Sequence, residues 1–166
     1  MSTDAAARPR IVVGVDGSDG SKQALRWAHH LARLTNARLD VVAVWEYHAV
    51  FNLTALPELE FPAADVERSL AETVDEVLGA DRPADLRLKA LAGPTVETLA
   101  TASEGALMLV VGSRGYGGFT GLLLGSVSAK VAEHARCPVL VVHGDTPPPG
   151  GGDLPAPGGG ATPPDA

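Results

Sequence analysis

Apolar and polar positions along this chain switch between two rhythms. Ile11-Val12-Val13-Gly14-Val15 is an unbroken apolar run and reads as a buried strand. Ser21 to Thr35 then sets Ala24, Leu25, Ala28, Leu31 and Ala32 at helical spacing. Leu39 to Trp45 is apolar after Asp40 and predicts a second strand. Val66, Leu70, Val74 and Val77 mark a second helix, with Glu67, Glu72, Asp75 and Glu76 on its solvated side. Leu86 to Ala92 alternates, with Leu86, Leu88 and Ala90 facing one way and Arg87 and Lys89 the other. That is the pattern of a strand with one face less covered. Gly93-Pro94 opens a third helix, with Pro94 in its first turn. Leu107 to Val111 is a fourth strand, a fourth helix follows Gly125, and Val139 to Val142 is a short fifth strand.

Strands alternating with helices predict an α/β fold, an open five-stranded parallel sheet with helices on both faces. Ligands of such sheets bind beyond the carboxyl ends of the strands, at a topological switch point. Two loops therefore carry the functional interest: Gly14-Val15-Asp16-Gly17-Ser18, and the glycine loop after the fourth strand. Residues 1–9 read as a flexible arm, 10–143 as one folded domain, and 144–166, rich in Pro and Gly, as a disordered tail. The long segment 46–63, punctuated by Pro57 and Pro62, reads as a lid or a passive crossover.

The glycine loop has a defined spacing. Gly112-Ser113-Arg114-Gly115 is followed by nine residues and then Gly125-Ser126. Glycine permits positive φ and close backbone approach, and exposed N–H groups at a helix start hold anions. A phosphate-bearing ligand follows. The loop is not a Walker A motif, because Gly125 is followed by Ser126-Val127 rather than Lys-Ser/Thr. It is not the dinucleotide fingerprint either, since Gly115-Tyr116-Gly117 meets Thr120 where glycine is required. A glycine-tolerant loop with Ser126 as a helix N-cap is the bland alternative. Asp16 reads either as a ligand-facing carboxylate or as the residue shaping an Asx-turn. Arg114 reads as a phosphate partner or as a solvated loop residue.

Charge and composition narrow the classes. The chain has 166 residues and a formal net charge of −7, with no basic run, which argues against nucleic acid as the ligand. No apolar run approaches the roughly 20 residues that span a bilayer, so no membrane partner is expected. The single cysteine, Cys137, allows no intrachain disulfide, and the N-terminus lacks a signal-peptide core, so the expected setting is cytoplasmic. His29 and His30 are adjacent and point to different sides, so no metal site is implied. Trp27 and Trp45 read as packing residues.

The pattern Gly-two-Gly-nine-Gly-Ser resembles the ATP-binding signature of the universal stress protein family. Ile11-Val12-Val13-Gly14-Val15-Asp16-Gly17-Ser18 is similar to its first strand, and Cys137-Pro138-Val139-Leu140-Val141-Val142 to its ending. The resemblance implies a Rossmann-like nucleotide-binding fold of strand order 3-2-1-4-5. It places Gly14 and Asp16 at the adenosine end and the backbone of Val44 against adenine. Gly112 and Gly115 would pass under the ribose and α-phosphate, and Gly125, Ser126, Val127 and Ser128 would hold the distal phosphates. Ser113, Arg114, Tyr116, Gly117 and Gly118 complete the implied nucleotide-contacting loop. Mg²⁺ or Mn²⁺ would arrive with the triphosphate. The resemblance also implies a homodimer joined through the last strand. Val139 to Val142 is apolar on both faces and needs a cover as an edge. The implied role is an ATP-binding stress or signalling module with an unidentified protein partner. A slow ATPase or autophosphorylating enzyme, and a nucleotide-independent chaperone-like scaffold, are the alternatives.

Overall fold

The structure, a computed structural model, describes residues 8–46, 63–115 and 124–149. Its elements run β1 (Arg10–Gly14), α1 (Asp19–Thr35), β2 (Arg38–Trp45), α2 (Ala63–Leu78), β3 (Arg87–Ala92), α3 (Thr95–Ala102), β4 (Met108–Gly112), α4 (Ser126–His134) and β5 (Val139–Val142). All the strand pairs are parallel, in the order β3-β2-β1-β4-β5. Each element of the sequence reading is present, and the strand order is the expected one.

The central strands are apolar because both of their faces are covered. Ile11 and Val13 of β1 point into one core, with Ala24, Leu25 and Ala28 of α1 and Leu70 and Val74 of α2. Val12 points the other way, into a second core with Val42, Leu99 of α3 and Val131 of α4. A buried leucine such as Leu25 contributes about 3 kcal/mol against truncation to alanine. α1 starts where Ser18 accepts a hydrogen bond from Ser21 N, and it ends at Asn36, whose φ of 51° closes the helix.

Three details differ from the sequence reading. Pro94 is the N-cap of α3 rather than a residue of its first turn, with ψ 129° holding the chain extended before Thr95. β3 is an edge strand, paired with β2 alone among the described residues, which accounts for the alternation of Arg87 and Lys89 with Leu88 and Ala90. The chain has no basic run, yet the parallel register gathers Arg10, Arg38 and Lys89 around Asp40 at the amino ends of the strands. Asp40 is 0% exposed. Burial pushes its carboxyl up, but hydrogen bonds from Arg38 and Lys89 outweigh that and hold it below the ordinary value of 3.8.

Of the segment read as a tail, residues 144–149 are described, and the Thr146 carbonyl accepts hydrogen bonds from Gln23 and from Trp27 Nε1. Residues 1–7, 47–62, 116–123 and 150–166 lie outside the described residues. They contain most of the arm, the long segment and most of the tail.

Candidate functional site

The chain order changes direction between β1 and β4, and a cleft of about 660 Å³ opens over the carboxyl ends of those strands. Its inner end is apolar. Val42 and Val44 on β2, Leu99 on α3 and Val111 on β4 line it, with Thr95 nearby. Its outer end is polar and glycine-rich, formed by Gly14, Asp16, Gly112, Arg114, Gly115, Gly125, Ser126, Val127 and Ser128. The first loop therefore meets the glycine loop and the start of α4, more than ninety residues further along the chain, on one surface.

The glycines serve close approach rather than positive φ, for none of Gly112, Gly115 and Gly125 has a positive φ. A Cβ on Gly112 would lie 2.7 Å from the backbone of Gly20, and one on Gly20 would lie 2.5 Å from the Arg114 carbonyl oxygen. The first turn of α1 thus rests directly on the end of β4, and this contact fixes where the glycine loop departs. A Cβ on Gly115 would lie 2.6 Å from Asp16 Oδ2. The two loops touch through that carboxylate.

The structure shows the Asx-turn reading of Asp16 on one oxygen and leaves the other beside the glycine loop. Oδ1 accepts from Ser18 N at 3.0 Å and from the Ser18 hydroxyl, which makes the Asx-turn leading into α1. Oδ2 faces Gly115 on the cleft side. Ser21, buried, ties the same turn down by donating to Ser18 O at 2.9 Å and accepting from Asp16 N at 3.3 Å.

At the start of α4 the cap is Gly125, not Ser126, which is the first helical residue. Ala129 N makes the first intrahelical hydrogen bond, to Gly125 O at 3.1 Å. The amides of Ser126, Val127 and Ser128 precede it and belong to the orphan donors of a helix start. Their partial positive charge suits an anion. The Ser128 hydroxyl is buried and reaches the carbonyls of Ser113 and Gly125 at 3.1 and 3.0 Å. Its proton braces the loop rather than facing the cleft. Ser126 is exposed on the cleft wall.

Ten of the expected residues line the cleft: Gly14, Asp16, Val44, Gly112, Arg114, Gly115, Gly125, Ser126, Val127 and Ser128. Ser113 does not. It is buried beneath the loop, donating to Val142 O at 2.8 Å and accepting from Gly125 N at 2.6 Å. Its place is structural, since it sews β5 and α4 to the end of β4. Tyr116, Gly117 and Gly118 lie outside the described residues. Sequence reasoning did not single out Gly20, Ser21, Val42, Thr95, Leu99, Val111 or Leu124. For Gly20, a glycine in the first turn of an otherwise regular helix was the available signal. Thr95 and Leu99 gave none, because their helix meets the cleft only through tertiary packing.

Among the described residues, no group of three His, Cys, Asp or Glu side chains is placed to hold a metal ion, and no helix is long and apolar enough to cross a membrane.

An open parallel α/β sheet, with an apolar slot and the first amides of a helix over its switch point, is an arrangement found in ligand-binding α/β domains. Within that class the assignment is direct. The universal stress protein family model matches residues 8–143, and the chain belongs to that family. A universal stress protein of Mycobacterium tuberculosis is 32% identical over 145 residues, covering 81% of this chain and 48% of its own length. One of Mycolicibacterium smegmatis is 34% identical over 145 residues, with coverages of 81% and 48%. The chain thus spans about half the length of the curated relatives it matches. A crystal structure of a universal stress protein in complex with cAMP aligns with a TM-score of 0.59 at 30% identity, covering 83% of this chain and 99% of that one.

Proposed function

We propose that the cleft holds an adenine nucleotide, with ATP as the reference ligand, and that occupancy rather than turnover is the signal. The observation that carries this is the junction of two chemistries in one cleft. An apolar slot between Val42, Val44 and Leu99 suits a purine ring, and it leads to a helix start with free amides and Ser126. The neighbour in complex with cAMP supports an adenine ligand. The charge of the described lining, Asp16 against Arg114, is balanced. A triphosphate therefore needs a divalent cation that it brings along, held mainly by its own oxygens, with Asp16 the lining carboxylate nearest in chemistry. A cyclic monophosphate needs none. Backbone amides hold phosphates without supplying a base or a lysine for their transfer, which supports binding over catalysis.

The proposed assembly is a homodimer through β5, whose Val139, Leu140 and Val141 are partly exposed on a sheet edge. The proposed setting is the cytoplasm, where Cys137 stays reduced.

Calorimetric titration with ATP, ADP, AMP and cAMP, each with and without Mg²⁺, tests the reading, together with mass spectrometry of the nucleotide that co-purifies. Saturable adenine-nucleotide binding, Mg²⁺-dependent for ATP, is expected. No heat with any of the four would sink it and leave the scaffold alternative. Multiple-turnover phosphate release that disappears in Gly115→Asp would replace occupancy with catalysis.

A further inference from the structure

The amino ends of β1, β2 and β3 concentrate positive charge that the cleft chemistry does not use. The register sets Arg10 beside Arg38 and Asp40 beside Arg87, and strand alternation puts Lys89 on the same face. Asp40 takes Arg38 Nε and Lys89 Nζ at 2.9 Å each, with Arg10 Nη1 at 3.6 Å. Arg87 is exposed and makes no ion pair with a described residue. Three cations thus share one carboxylate, with Arg87 beside them unpaired among the described residues, in a chain whose net charge is −7. The neighbouring carboxylates Asp85 and Glu104 already face Arg8 and Arg136.

The same face of the sheet runs upward into a groove walled by Leu91 and Ala92 of β3 and by Glu97, Thr98, Thr101 and Ala102 of α3, where Glu97 restricts the acidic positions of a guest to the Arg87 and Lys89 end. The opposite face of β3 is packed under α2 through Leu88. β3 itself pairs with β2 alone among the described residues.

We infer that the outer edge of β3 docks an extended acidic segment of a partner protein by strand addition. The unpaired backbone groups of an edge strand supply the main-chain hydrogen bonds of such a complex. Arg87, Lys89 and Leu91 recur on one face at intervals of roughly 6.6 Å. The fitting segment carries carboxylates at two alternate positions and an apolar side chain at the third. A second copy of this chain does not fit, because an isologous contact would set these cations against themselves. Nucleic acid and anionic lipid offer no main-chain strand to pair with the edge. Charges on an edge strand also deter unwanted pairing, and here the same charges admit an acidic strand while rejecting a neutral or basic one.

The test is fluorescence anisotropy of the full chain with labelled peptides. The probes carry glutamate–valine–glutamate–valine–leucine, in forward and reverse order, within serine flanks. One order is expected to bind saturably, to weaken about tenfold against Arg87→Glu, and to slow amide hydrogen exchange across 87–92. The thermal melt of Arg87→Glu stays at the wild-type value, because the side chain is exposed. No saturation by either order, equal binding of a peptide with its glutamates in one block, equal binding of an oligodeoxynucleotide, or unchanged exchange in β3 overturns the proposal.

Discussion

The two ends of this sheet solve opposite electrostatic problems. At the carboxyl ends of the strands, the cleft is lined by glycines and by helix-start amides that precede the first intrahelical bond of α4. At the amino ends, a buried carboxylate is paired with Arg38 and Lys89 and approached by Arg10. One end leaves polar groups for a ligand to satisfy, and the other satisfies its own. Nucleotide binding is proposed for one end, and the pairing of buried Asp40 gives the other a part in stability. The sharpest tests substitute one end and read the other.

The largest effect is expected at the amino end. Asp40→Ala leaves Arg38 and Lys89 facing each other over a buried vacancy, with a loss of about 3 kcal/mol in unfolding free energy by urea titration. Those cations are partly exposed, which keeps the loss near the low end for a broken buried pair. The nucleotide affinity of the folded variant stays at the wild-type value. A proportional fall in affinity would mean that the two ends are coupled through β2, and the division would fail.

Gly115→Asp makes the converse test. Its Cβ would meet Asp16 Oδ2 at 2.6 Å, and its carboxylate would stand where phosphate is proposed. About a hundredfold loss of ATP affinity is expected from bulk and like charge together, with little change in the urea midpoint because Gly115 is exposed. Unchanged affinity would remove the loop from the site.

These two positions also show what the sequence disclosed. The glycine spacing was legible because close approach leaves only one residue type available, and the strands were legible because β1, β2 and β4 lie under cover on both faces. Asp40 was not. A lone polar residue at the start of an apolar run looks like a boundary, and its partners at 10, 38 and 89 meet it only through parallel pairing. Thr95 and Leu99 were invisible for the same reason, since their helix reaches the cleft by packing rather than by motif. Ser113 and Ser128 were legible as loop members, but not as braces, because a serine in a sequence does not say where its hydroxyl points.

Acid separates the ends further. The Asp40 carboxyl titrates below its ordinary value of 3.8 in the folded state, so its stabilisation is complete above that value and is lost as pH falls through the folded one. His29 acts earlier. Burial lowers its pKa from 6.5, helped by Arg33 and His30 and opposed by Asp81. The folded state thus favours neutral imidazole, and stability erodes as pH falls below 6.5, where the unfolded chain takes up the proton. Urea midpoints measured from about pH 7.5 to about pH 5.5 should fall for the wild type and stay flatter for His29→Gln. Parallel slopes for the two proteins would take His29 out of the account.

The smallest effect probes how the cleft divides its own work. Ser126 opens α4 with an exposed hydroxyl on the cleft wall, whereas the Ser128 hydroxyl reaches the carbonyls of Ser113 and Gly125. Ser126→Ala removes one hydrogen bond to a distal phosphate, about 1 kcal/mol or fivefold in ATP affinity, and leaves AMP affinity unchanged. Ser128→Ala frees the loop instead, so it weakens ATP and AMP alike and lowers the urea midpoint as well. Equal losses of ATP and AMP in Ser126→Ala would move that serine away from the distal phosphates. The orphan amides of α4 would then be the whole of the anion cradle.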